Sequence, residues 1–121
     1  MISAAIQSTL TGIITNTYIA IGDEEILTPY CVHQERETPL KLKEGLIGYE
    51  YECEIAVIDD SPDSVETYKQ SIITALEALA GTTVSGTNIL MVDYLGDDPG
   101  FDQEDKMYTT IMRFLIETSN R

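Results

Sequence analysis

A chain of 121 residues is long enough for one hydrophobic core and too short for two independent ones, and its 43% hydrophobic content suits a folded domain better than a disordered one. Acidic residues outnumber basic ones 21 to 7, and the net charge of −14 argues against holding DNA or RNA by phosphate neutralisation. No apolar run reaches the ~20 residues of a membrane-crossing helix, and the start, MISAAIQSTLTGIITN, lacks the basic segment of a secretory signal, so a soluble, intracellular protein is expected.

Ile2, Ala5, Ile6, Leu10 and Ile13 recur at helical spacing, which predicts an amphipathic helix ending near Gly12 or Asn16. TYIAIG and PYCVHQERE read as short strands around the turn-like GDEE, because β-branched and aromatic residues cluster there and Pro29 forbids helical continuation. TPLKLKEGLIG follows as a connection too long for a plain hairpin turn, a candidate functional arm.

From Gly48 the run GYEYECEIAVIDD sorts its side chains by strand alternation. Tyr49, Tyr51, Cys53, Ile55 and Val57 point one way, and Glu50, Glu52 and Glu54 the other. The next segment carries its own punctuation: Ser61 to cap, Pro62 for the first helical position, Asp63 and Glu66 to complement the dipole, Gly81 for a left-handed stop. A helix over 62–80 is expected. Its stripe of Val65, Tyr68, Ile72, Ala75, Leu76 and Leu79 should cover Tyr51, Cys53, Ile55 and Val57.

A strand is expected around Asn88 to Tyr94, then a solvated acidic connection, DDPGFDQED, and a last strand in KMYTTIMRFLIETSN. In that last strand Tyr108, Thr110, Met112, Phe114 and Ile116 share one face, while Thr109, Ile111, Arg113, Leu115 and Glu117 share the other. Both faces are partly apolar, so the second is expected to pack on another subunit. The whole is an α+β domain: a mostly antiparallel four- to five-stranded sheet with both helices on one face.

Chemistry is sparse. Cys31 and His33 share a strand face, but a thiol-imidazole dyad also needs an orienting third group and an oxyanion site, so a packed, reduced thiol beside a partly exposed ring is expected. As metal ligands the two lack partners at zinc spacing. The acidic connection fails the calcium-loop register, and no glycine pattern matches a phosphate cradle. No enzyme, cofactor or metal is expected. The candidate contact residues are Ile111, Arg113 and Leu115; Phe101, which has nothing local to pack on in a polar loop; and Lys41 and Lys43, the only close basic pair, suited to a neighbour's carboxylates. Glu50, Glu52 and Glu54 are candidates for lining a like-charged lumen that DNA passes without adhering.

The order helix, strand pair, GYEYECEIAVIDDSPDSVETYKQSIITALEALAG, strand, acidic loop, MYTTIMRFLIET resembles the tail-terminator, or tail-completion, proteins of long-tailed bacteriophages and prophages. The telling parts are Val57-Ile58-Asp59, the helix directly after it from Val65 to Leu79, and the closing strand from Tyr108 to Thr118. The resemblance implies a homo-oligomeric ring, commonly a hexamer, that caps the tail tube and receives the head connector. It implies no enzymatic activity; the charge and the lack of a long apolar run lead to the expectation of no specific nucleic-acid binding and no membrane. The site would be the virion tail after assembly in the cytoplasm. The competing reading is a small acidic dimeric chaperone or adaptor.

Overall fold

Two long hairpins laid side by side make the sheet. The computed structural model describes residues 2–14, 17–19, 29–42, 45–104 and 106–119. Its elements are α1 (Ile2–Thr11), β1 (Thr17–Ile19), β2 (Tyr30–Leu42), β3 (Gly45–Asp59), α2 (Pro62–Glu77), β4 (Thr83–Val84), β5 (Thr87–Asp102) and β6 (Met107–Ser119). They give one sheet in the order β1-β2-β3-β6-β5-β4, antiparallel except where the short β1 runs parallel to β2. This is the expected α+β class.

Two expected connections are strand instead. Of TPLKLKEGLIG, residues 38–42 belong to β2 and 45–48 to β3: Thr38 opposes Glu50, Leu40 opposes Gly48, and Lys41 opposes Leu46. DDPGFDQED is largely β5, with Asp98 opposite Ile111, Pro99 opposite Thr110 and Phe101 opposite Tyr108. β6 supplies the partner backbone, and ladder hydrogen bonds outweigh the poor strand propensity of Asp, Gly and Pro. The β5–β6 register steps past Leu90 and again past Leu95, where Gly96 takes φ +121°. Each step adds a residue to β5 that faces none on β6. Because Gly48 pairs with Ser119 and Asp59 with Tyr108, the two hairpin tips project from opposite ends of the sheet.

α2 forms where its punctuation says. The Ser61 hydroxyl oxygen accepts from the Ser64 N–H at 3.4 Å, and Pro62 and Asp63 occupy the first turn. It stops at Glu77, three residues before the expected end, and Gly81 at φ +83° turns the chain so that its N–H donates to the Ile89 carbonyl at 2.8 Å. Ser85 (φ 49°) and Gly86 (φ 78°) then close the β4–β5 hairpin as a two-residue left-handed turn.

Both helices pack on one sheet face. Ile2, Ala5, Ile6 and Leu10 of α1 and Val65, Ile72 and Leu76 of α2 are buried against Cys31, Cys53, Ile55, Val57, Met112, Phe114 and Ile116. Each large aliphatic or aromatic side chain contributes about 2 kcal/mol through apolar burial. Tyr68, Ala75 and Leu79, the rest of the expected α2 stripe, are half-buried at its margin.

Candidate interaction face

Strand register determines which side chains meet on the face without helices. Glu54 stands opposite Arg113 and Glu52 opposite Leu115, while Ala56 opposes Ile111 and Glu50 opposes Glu117. The expected contact set of Ile111, Arg113 and Leu115 and the expected lumen set of Glu50, Glu52 and Glu54 therefore occupy one surface, and the two roles compete for it.

That surface is not a bare acidic ladder. Arg36 Nη2 on β2 donates to Glu52 at 2.8 Å, and Arg113 Nε lies 3.8 Å from Glu54 while its Nη2 bonds Asp98 of β5. Between them runs a groove of about 520 Å³ lined by Arg36, Glu52, Glu54, Leu95, Arg113 and Leu115. Leu95 is 58% exposed and Ile111 38%, large apolar side chains left in water. Sequence alternation missed Leu95, because the register step beside Gly96 breaks the period of two; that glycine in an apolar run was the available signal.

The remaining contact candidates lie apart. Lys41 is exposed near the β2–β3 tip, and Lys43 falls outside the described residues. Phe101 sits near the opposite tip, half exposed, with its ring 4.6 Å from that of Tyr108. It does have a local partner, the cross-strand tyrosine, which the loop reading concealed. Nearby, Asp97 turns toward α2 and accepts from the Tyr94 hydroxyl (2.7 Å) and the Thr110 hydroxyl (2.8 Å), with Lys69 Nζ at 3.5 Å. These hydrogen bonds hold its carboxyl below the usual range, and partial desolvation, together with the bond to Asp97, pushes the Tyr94 phenol up to about 12.

Cys31 and His33 do not form a nucleophilic pair. Burial pushes the Cys31 thiol up to about 12, so the reactive thiolate is disfavoured. His33 is fully buried rather than partly exposed, because α1 covers it, and both ring nitrogens are engaged, Nδ1 at 2.6 Å from Glu35 Oε2 and Nε2 at 2.7 Å from Gln7 Oε1. Gln7 Nε2 donates to the Thr17 carbonyl at 3.0 Å, which fixes the amide orientation and makes His33 Nε2 a donor. Glu35 also accepts from the Ser3 hydroxyl at 2.5 Å and from the Cys53 thiol at 3.6 Å. Ser3 and Gln7, one turn apart on α1, thus clasp Glu35 and His33 on β2. The histidine is a structural clasp between helix and sheet.

No protein-family model matches the chain, and no curated protein matches it. A solved structure does: a chain of the virion of the native gene transfer agent (GTA) particle, with TM-score 0.76 over 97% of this chain and 93% of that one, at 16% sequence identity. At that identity the likeness is one of fold, and it extends over nearly the whole of both chains.

Proposed function

We propose that this chain is a structural subunit of a phage-like virion, acting as a tail-terminator-like ring component at the head-tail junction. The observation that carries the reading is the near full-length fold likeness to a chain of a GTA virion. The helix-free face, the engaged ring of His33 and the buried thiol of Cys31 support a part that binds over a part that reacts. In this reading neighbouring copies meet head to tail, because the two ends of the sheet differ in chemistry. One end carries Lys41 and the exposed Ile47, and the other carries Phe101, Asp102 and Glu104. Contacts between unlike patches generate closed rings when the rotation closes. Tail-tube and head-connector proteins are the remaining partners.

Sedimentation velocity and negative-stain microscopy of the purified chain test this. A ring supports the reading. A dimer that stays a dimer when mixed with tail-tube protein favours the adaptor reading instead, and the acidic face is compatible with that alternative.

A further inference from the structure

The charge on the helix-free face restricts what can cover it. By register and alternation Glu50, Glu52, Glu54, Asp93, Asp98 and Glu117 project from it, against Arg36 and Arg113. Arg36 is held by Glu52, and Arg113 is shared between Glu54 and Asp98. Among the described residues no ion pair includes Glu50, Asp93 or Glu117. Asp93 stands opposite Leu115 and the Glu50–Glu117 pair lies one same-face position further along β6, while Asp98 stands opposite Ile111, so apolar surface and surplus negative charge lie side by side along this face.

A second copy is a poor occupant. It brings 21 acidic residues against 7 basic ones and meets the face with like charge; DNA meets it with still more. We infer that this face docks a basic amphipathic segment of a different protein, one that presents apolar side chains flanked by lysines or arginines. The apolar side chains rest on Leu95, Leu115 and Ile111, and the cations reach Glu50, Asp93 and Glu117. Burial of the leucines supplies the attraction, and the flanking ion pairs supply orientation and a fast encounter. The inference adds the partner's chemistry to the virion reading, in which such a segment belongs to another component of the particle.

The probe is a short amphipathic leucine-lysine peptide, titrated into the full chain by fluorescence anisotropy at low and physiological salt. Binding should be lost by about tenfold or more in Leu95→Ser/Ile111→Ser and in Glu50→Gln/Glu117→Gln. It should persist in the control Asp60→Asn/Glu77→Gln, which removes the same charge from exposed positions elsewhere. Circular dichroism checks that each variant is folded, and the glutamine pair decides the matter if the serine pair is not. The inference is overturned if the control weakens binding as much as the face variants, since the attraction is then general. It is equally overturned if the face variants bind like the parent, or if hydrogen exchange at residues 111–117 slows with chain concentration alone, which makes a second copy the occupant. Sedimentation of the same samples reports the ring separately, so peptide binding without a ring, or a ring without peptide binding, identifies which reading fails.

Discussion

Arg113 of β6 faces Glu54 of β3 at 3.8 Å, and the same guanidinium reaches Asp98 of β5 on its other side. One exposed cation therefore bridges the three strands on the side where no helix does. Exposed pairs of this kind are screened and contribute little to stability. Arg113→Met should leave the urea denaturation midpoint almost unchanged. It should also strengthen binding of a basic peptide, because Glu54 and Asp98 are released.

Phe101 and Tyr108 close the far end of the β5–β6 hairpin, with tilted rings 4.6 Å apart. A cross-strand aromatic pair contributes about 0.5–1.5 kcal/mol beyond its buried area. Phe101→Ser should speed hydrogen exchange of residues 99–108 while leaving Phe114 and Ile116 in the core protected. Unchanged exchange at the tip would mean that the ladder alone holds it.

The Glu35 carboxyl is pushed up by burial, but hydrogen bonds from His33 and Ser3 outweigh that and hold it below its ordinary value of 4.5. A carboxyl held low in the folded chain contributes stability that is present above 4.5 and lost as pH falls through the folded value. The melting temperature should therefore drop on acidification below 4.5, with α1 losing its clasp. Glu35→Gln should melt lower at neutral pH and show a shallower acid slope. Some slope should remain, because Asp97 is shifted in the same direction. Calorimetry from neutral pH down to about 3 measures both effects.

Reversing Glu50, Glu52 and Glu54 to lysine separates the two roles expected of one face. A lumen lining predicts duplex binding that weakens steeply with salt and a block to DNA release from the particle. A protein-docking face predicts loss of the basic peptide and no defect in DNA release. Gel-shift titration and particle DNA-release assays distinguish them.

Much of the helix-facing half was legible from the sequence. The Ser61-Pro62-Asp63 punctuation and the Val65-Ile72-Leu76 stripe specify α2, and period-two alternation specifies the buried faces of β3 and β6. These are local signals, each contained in a few residues. The candidate face was less legible because it depends on register. Nothing within the glutamate run or within MYTTIMRFLIET says that Glu54 will stand beside Arg113; that follows from where two distant strands pair. The acidic stretch from Asp97 to Asp102 read as a loop by composition and became strand through its partner. The His33 clasp needed α1 in place before Gln7 and Ser3 could reach β2.

The register steps at Leu90 and Leu95 and the proline at 99 govern how β5 can meet the backbone of another chain. Among the described residues β4 pairs only with Thr87 and Asn88, so most of β5 forms a sheet margin. Extra residues twist such a margin, and a proline offers it no donor, so another chain's strand cannot zip along it in regular fashion. Strand-by-strand growth from this side is disfavoured. Association along this side would have to run through side chains rather than through backbone hydrogen bonds passed from strand to strand.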